Sequence, residues 1–137
     1  MTGREHVDER GQSVSLFVLI LMGALILTAG LVVDGGQKVS AAGKAESAAA
    51  GAARAAANAA ATQELAGADQ VAPAVTAAQK FLAGEPDVTG SVSVSGGVVT
   101  VRTTSSAPTI FLSVVGFGQV TAQGHASANI VATGESR

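Results

Sequence analysis

Residues 14–33 form an unbroken apolar run that constrains this chain of 137 residues more than any other feature. The run reads VSLFVLILMGALILTAGLVV, twenty residues without a charged side chain. At about 1.5 Å per helical residue, a helix of this length spans roughly 30 Å, the thickness of the hydrocarbon core of a bilayer. The sequence therefore predicts one membrane-spanning helix, and the rest of the chain has room for one small domain.

The apolar run is interpreted as a signal anchor that stays in the membrane. A cleaved secretory signal usually has a shorter apolar region, of about 7 to 15 residues. Cleavage after Ala41 is the alternative, and it would release the remainder of the chain. The predicted membrane-anchor residues are Val14, Phe17, Leu21, Gly23, Gly30 and Val33.

The orientation of the anchor is predicted from the length of the segment before it. Basic residues are balanced, because Arg4 and Arg10 precede the run while Lys38 and Lys44 follow it. A head of 13 residues is short enough to remain in the cytoplasm without translocation. We therefore expect a cytoplasmic N-terminus and an extracytoplasmic C-terminal domain.

Asp34 ends the apolar run, and two interpretations of it are open. It is either an interfacial stop paired with Lys38 one turn later, or a charge that contacts a partner membrane protein. Gly23 and Gly30 lie seven residues apart on one helix face, where small residues permit close helix contact. One arrangement that these features favour is a homo- or hetero-oligomer formed through the helix.

An alanine-rich segment follows the anchor. Between Ala41 and Ala61, fourteen of twenty-one residues are alanine, the strongest intrinsic helix former. We expect a helix that continues from the membrane to about Ala66, with a hinge at Gly35–Gly36 as an option. With no large apolar side chain between Val39 and Leu65, this stalk stands in solvent, packs on its own sheet, packs on a partner helix, or is disordered.

The distal part of the chain predicts a second helix and a small antiparallel sheet. Asp69 is placed to cap the helix, which ends at Gly84. Alternating residues on both sides of Gly96–Gly97 predict a hairpin that pairs Val94 with Val99 and Val92 with Val101. Residues 120–130 alternate small apolar with polar side chains as a third strand. Residues 108–117 form an apolar connector with a short helix that carries Ile110, Phe111 and Leu112.

Composition argues against most kinds of chemistry. The formal net charge is −2 and the only aromatic residues are four Phe, so nucleic-acid binding is not expected. The chain has no Cys, and its two histidines, His6 and His125, lie on opposite sides of the predicted membrane. No paired carboxylates, phosphate loop or nucleophile elbow appears. We therefore predict no catalytic residues, no metal site and no cofactor, and a protein that is not an enzyme.

The residues around the apolar run resemble a known family. Arg10 and Gly11 before the run, and Asp34 and Gly35 after it, resemble the N-terminal region of TadE/TadG-like proteins of the Tad, or tight adherence, pilus machinery. Pilin-like members are cleaved after a glycine that a glutamate follows at the fifth position, which makes Gly11 the candidate processing position, although Leu16 stands where that glutamate would be. The resemblance implies a non-enzymatic part in assembling, anchoring or capping a surface pilus, or in export through the same apparatus.

These observations combine into an α+β, pilin-like architecture. A short cytoplasmic head (1–13) precedes the transmembrane helix (14–33), an alanine-rich helical stalk (34–67) and a small extracytoplasmic α+β domain (68–137). The expected partners are the lipid bilayer and other membrane proteins of a pilus-assembly or secretion apparatus. A secreted or surface-released structural protein, freed by signal-peptide cleavage, is the alternative function.

Overall fold

The computed structural model describes residues 9–130, and the predicted α+β class is confirmed. The first eight residues of the predicted head, with His6 and Arg4, and residues 131–137 at the C-terminus lie outside the described part. The elements in chain order are α1 (Glu9–Leu65), α2 (Val71–Ala83), β1 (Val88–Ser95), β2 (Val98–Pro108), a short 3-10 helix (Leu112–Val115) and β3 (Gln119–Asn129).

Helix α1 joins the apolar run and the alanine-rich segment in one continuous element. Its 57 residues correspond to about 85 Å at the rise of an α-helix. The helix passes through Gly35 and Gly36 without a break, so of the two options for this pair the structure has the unbroken helix. Within residues 9–130, α1 is the helix long and apolar enough to cross a membrane, and almost none of its apolar window is buried by the rest of the protein.

The three strands form one antiparallel sheet in the order β1-β2-β3. The predicted hairpin register is confirmed, with Val94 opposite Val99 and Val92 opposite Val101. Gly96 and Gly97 have φ values of 56° and 76° in the turn, as a two-residue hairpin of this kind requires. The predicted third strand pairs with β2, and its even-numbered residues face inward while its odd-numbered residues are exposed.

Helix α2 begins and ends close to the predicted positions. The Asp69 carboxylate accepts hydrogen bonds from the backbone N–H groups of Val71 and Ala72, at 3.3 and 3.4 Å, and Gly84 is the C-cap residue. The helix buries Leu82 in the core. The Phe81 ring lies against Gly51 of α1, where any side chain at position 51 would overlap it. Small residues on α1 therefore let α2 approach closely.

The hydrophobic core lies between the alanine face of α1 and the sheet. The buried alanines of α1 are Ala41, Ala45, Ala48, Ala49, Ala52, Ala53, Ala56 and Ala60. Val99 and Val101 of β2, and Ile130 directly after β3, belong to the same buried cluster. Of the alternatives open for the alanine-rich segment, the structure selects packing on its own sheet.

Small side chains allow the sheet to lie almost against the backbone of α1. A Cβ atom added at Gly124 would meet the Glu46 nitrogen at 2.5 Å and the Ala45 oxygen at 2.6 Å. Beside it, the buried Thr103 hydroxyl donates a hydrogen bond of 2.6 Å to the Ala45 carbonyl oxygen. The sheet therefore runs along α1, with its hairpin near the far end of the helix and its other end directed towards the apolar run.

Candidate functional site

The segment between β2 and β3, residues 109–118, is called the connector below. Its ends are held together by a hydrogen bond of 3.1 Å from the Thr109 N–H to the Gly118 carbonyl, and the Thr109 hydroxyl donates to the Phe117 carbonyl. The predicted short helix is present as the 3-10 helix at Leu112–Val115, so that Ile110 and Phe111 precede it rather than lie within it. Gly116 ends it with φ of 97°, a conformation that favours glycine.

The carboxylate of Asp34 binds the backbone of the connector. Its Oδ1 atom accepts the Ile110 N–H at 2.8 Å, and its Oδ2 atom accepts the N–H groups of Phe111 and Leu112 at 3.1 and 2.6 Å. The amides of Ile110 and Phe111 directly precede the 3-10 helix and that of Leu112 is its first, and backbone N–H groups at a helix start have no partner within the helix. We call this set of hydrogen bonds the Asp34 clasp. It joins residues 76 to 78 positions apart in sequence.

The clasp explains how a buried carboxylate stays charged at the end of an apolar run. Only 2% of the Asp34 surface is exposed. Burial by itself would raise the pKa of Asp34, but the hydrogen bonds from the amides of Ile110, Leu112 and Phe111 favour the charged form and lower its pKa below the ordinary value. Asp34 is therefore held as an anion by the backbone of its own domain.

This geometry corrects the partners that the sequence suggested for Asp34. Its oxygens face the connector, so the expected pairing with Lys38 is not observed. Among the described side chains, the ion pair is instead Lys44 with Asp87, at 3.2 Å. Nor is the carboxylate open to a partner membrane protein, because three internal donors already occupy it.

Gly30 provides a second contact between α1 and the connector, one turn before Asp34. Gly30 is buried, and a Cβ atom there would lie 2.6 Å from Cγ of Phe111. Glycine is thus required for the ring to lie on the helix. Gly23, by contrast, has nothing within 4 Å of the position of an added Cβ. The structure therefore uses Gly30 inside the chain and leaves the Gly23 surface open.

The remaining predicted residues lie apart from this site. Val14, Phe17, Leu21 and Val33 have exposed side chains, and added Cβ atoms at Gly11 and Gly35 would meet nothing within 4 Å. Arg10 lies in the first turn of α1. Of the predicted anchor and motif residues, the structure brings together Gly30 and Asp34.

Sequence reasoning identified Asp34 and Gly30 but not their partners. The donors in the clasp are backbone amides, which every residue except proline carries, so no residue type marks them. The apolar Ile110-Phe111-Leu112 sequence was a signal for a helical connector, but it did not indicate which part of α1 the connector would contact.

The described residues show no arrangement suited to catalysis. They contain no group of three or more His, Cys, Asp or Glu side chains that could hold a metal ion. The outer face of the sheet has an open depression that includes Arg102 and His125, which are cross-strand partners, but its lining contains no carboxylate. What the Asp34 clasp can do chemically is fix the position of the connector on α1.

A known protein family matches part of the chain. Residues 11–61 match the Tad family, described as "Putative Flp pilus-assembly TadE/G-like". No curated protein and no solved structure matches the chain at a significant level. The matched segment includes the apolar run, the Gly30–Asp34 turn and all the buried alanines of α1. Over residues 11–61, this chain is thus similar to the TadE/G-like proteins of Flp pilus assembly, as its resemblance predicted.

Proposed function

We propose that this protein is a membrane-anchored, non-enzymatic component of a Tad/Flp-type pilus-assembly or secretion apparatus, either an assembly factor or a minor-pilin-like subunit. The observation that carries the proposal is the family match over residues 11–61. The matched residues include the apolar part of α1, a helix that is long and apolar enough to cross a membrane. The exposed apolar surface of that helix supports membrane anchoring, because a water-soluble protein would bury such a surface.

The proposed topology places residues 1–13 in the cytoplasm, residues 14–33 in the cell membrane, and both the stalk (34–67) and the domain (68–137) outside the cytoplasm. The partners are the lipid bilayer and other membrane proteins of the apparatus. The helix surface around Gly23 is where a homo- or hetero-oligomer would form, because a glycine there permits close approach of a second helix. Gly11 remains the proposed processing position.

The alternative function, a structural protein released after cleavage at Ala41, is less well supported. Cleavage there would remove Gly30 and Asp34, and with them the packing of Phe111 and the three hydrogen bonds of the clasp. Ala41 itself is buried. Processing at Gly11, in contrast, would leave all of these contacts in place.

The intact mass of a C-terminally tagged copy from the native host tests these proposals. Membrane and medium fractions are analysed separately, and the proposed function predicts tagged protein in the membrane fraction. Full-length mass there indicates an uncleaved assembly factor, whereas loss of the segment through Gly11 indicates pilin-like processing. A tagged species in the medium that lacks residues up to Ala41 would contradict the anchor and favour the released protein.

Association with the apparatus requires a separate measurement. The tagged protein is extracted from membranes in mild detergent after cross-linking, and its co-purifying proteins are identified. We expect pilus-assembly or secretion components of the envelope among them, and loss of surface pili when the gene is deleted. A Gly23→Leu variant is expected to weaken that association while its domain stays folded. Normal pili in the deletion strain and no co-purifying envelope component would contradict the proposal.

A further inference from the structure

Among the described residues outside the apolar run, the connector carries the largest group of exposed apolar side chains. Between positions 34 and 130, nine large hydrophobic side chains are exposed, and five of them are in the connector. They are Ile110, Phe111, Val114, Val115 and Phe117. Val114 is 85% exposed and Phe117 is 66% exposed. Such a group on a small domain indicates a contact surface, because isolated exposed apolar residues are common but clusters of them are not.

The position of the connector along α1 is fixed by two contacts. Phe111 lies on Gly30, and the Asp34 clasp holds residues 110–112 one turn further along the helix. Gly30 is three residues before Val33, the last residue of the apolar run, which corresponds to about 5 Å along the helix axis. Along the axis of α1, the connector therefore lies beside the C-terminal end of the apolar run.

The electrostatics of this end of the domain are suited to a lipid surface. From Thr103 to Gly134 the sequence contains no Asp, Glu, Lys or Arg. The nearest charge in the fold, Asp34, is enclosed by the amides of the clasp. Insertion of the connector into lipid would therefore bury no unpaired ionic group, whose cost otherwise opposes such insertion.

We propose that the connector inserts the side chains of Ile110, Val114, Val115 and Phe117 into the interfacial layer of the bilayer that α1 crosses, so that the domain lies on the membrane through a second contact. The inference rests on the proposed membrane anchoring of residues 14–33. The lipid surface is the occupant because the exposed connector is continuous with the exposed apolar face of α1, where Leu31, Val32 and Val33 lie at the same level. Apolar side chains at such a boundary reach about 5–10 Å into the lipid.

A consequence of this contact is a restricted orientation of the domain. If the helix were the one attachment to the membrane, the domain could tilt and rotate above the bilayer. Insertion of the connector as a second attachment limits the tilt of the domain towards or away from the bilayer. The hairpin at Gly96–Gly97 and the outer face of the sheet would then point away from the membrane, where other proteins can reach them.

Because the sequence contains no cysteine, a single cysteine can be introduced for spin labelling without first removing native ones. Single variants Val114→Cys, Phe117→Cys, Leu21→Cys and Ser127→Cys are made in the full chain, labelled with a nitroxide and reconstituted in phosphatidylcholine nanodiscs. Leu21 reports on the anchor, and Ser127 is a matched control on the exposed face of β3. Collision with oxygen, which concentrates in lipid, is compared with collision with a water-soluble nickel chelate.

We expect labels at positions 114, 117 and 21 to collide preferentially with oxygen, and the label at 127 to collide preferentially with the nickel chelate. A label at 21 in lipid with labels at 114 and 117 in water would overturn the inference and leave the anchor intact. Protection of 114 and 117 from both reagents would indicate that a protein, such as a second copy, covers the connector, and would also overturn it. If position 21 is in water as well, the anchor and the inference both fail.

Discussion

At the scale of single residues, Asp34 connects α1 to a distant part of the chain. A carboxylate after an apolar run is an ordinary boundary signal in sequence, but here it organises a segment that follows it by more than seventy positions. Three backbone amides satisfy it, and hydrogen bonds to a charged acceptor are stronger than those between neutral groups. Gly30 and Gly124 act differently, because each allows a close approach that a single methyl group would prevent.

The first prediction concerns the charge of Asp34. Asp34→Asn is expected to weaken the clasp, because an amide has one oxygen in place of two acceptors, and to speed amide hydrogen exchange at residues 110–112 roughly tenfold or more. Hydrogen exchange of the full chain in nanodiscs measures this. Glu64→Gln, at an exposed position of α1, is the matched control and is expected to leave that exchange unchanged.

The second prediction compares the wild-type protein with Asp34→Asn as the pH is lowered. Because the folded-state pKa of Asp34 is lowered, its stabilising contribution is fully present above the ordinary carboxyl value of about 4 and is lost as the pH falls through the lower folded-state value. The difference in melting temperature between wild type and Asp34→Asn should therefore be constant near neutrality and shrink below about pH 4. A difference that stays constant at low pH would contradict a charged clasp.

The third prediction concerns the approach of β3 to α1. Gly124→Ala should destabilise the domain by about 1–3 kcal/mol, because the added methyl group meets the backbone of Ala45 and Glu46, which cannot move aside as a side chain can. Gly118→Ala is the control, since a Cβ there has nothing within 4 Å. Thermal unfolding of both variants measures the difference. Equal melting temperatures would show that β3 does not lie against the helix backbone.

At the scale of elements, α1 carries two different surfaces on one continuous helix. Its first part presents large apolar side chains outward, and its second part presents alanines to a sheet. Alanine supplies little apolar area, so the core is held together by close approach of backbones and by the valines of β2 rather than by large side chains from the helix. Helix propensity and packing agree along this segment, because the residue that best forms the helix also lets the sheet approach.

The fourth prediction tests that alanine face. Ala49→Leu should destabilise the domain by about 1–3 kcal/mol, because Ala49 is fully buried between helix and sheet and the core has no space for three further carbon atoms. Ala61→Leu, on the exposed part of the same helix, should change stability by less than about 0.5 kcal/mol. Chemical denaturation of both variants gives the comparison. A stable, native-like Ala49→Leu variant would argue against sheet packing on this face.

At the scale of the whole molecule, the domain is attached to the end of its own apolar segment. The apolar run and the domain are joined by covalent continuity through α1 and by the contacts of the connector at Gly30 and Asp34. The position of the domain relative to the apolar run is therefore part of the fold, and it does not depend on a flexible linker.

The fifth prediction follows from this arrangement. A chain that begins at Ala29 retains Gly30 and Asp34 and lacks most of the apolar run, so it should be water-soluble and folded. A chain that begins at Ala42 lacks the clasp and should melt at a clearly lower temperature, with faster exchange at residues 110–112. Equal stability of the two truncated chains would show that the clasp contributes nothing to the domain.

The sequence alone determined the features that depend on local pattern. The length of the apolar run, the alanine content, the Gly96–Gly97 turn and the alternation in three strands predicted the elements, the hairpin register and the inward face of β3. Each depends on neighbouring residues, through helix periodicity, strand periodicity or turn conformation. The resemblance around Arg10, Gly11 and Asp34 likewise lies within one short segment, and it predicted the family match.

Only the tertiary structure decided which distant surfaces meet. Alanine does not specify its partner, so packing on the chain's own sheet and packing on another helix were both open in sequence, although the small inner face of the third strand suits close approach of an alanine-rich helix. The partners of Asp34 are backbone amides that no residue type marks, and the near neighbour Lys38 was the wrong choice. Phe111 was visible as an apolar residue, but its contact with Gly30 depends on how β2 and β3 lie along α1, which is fixed by long-range packing rather than by the local sequence.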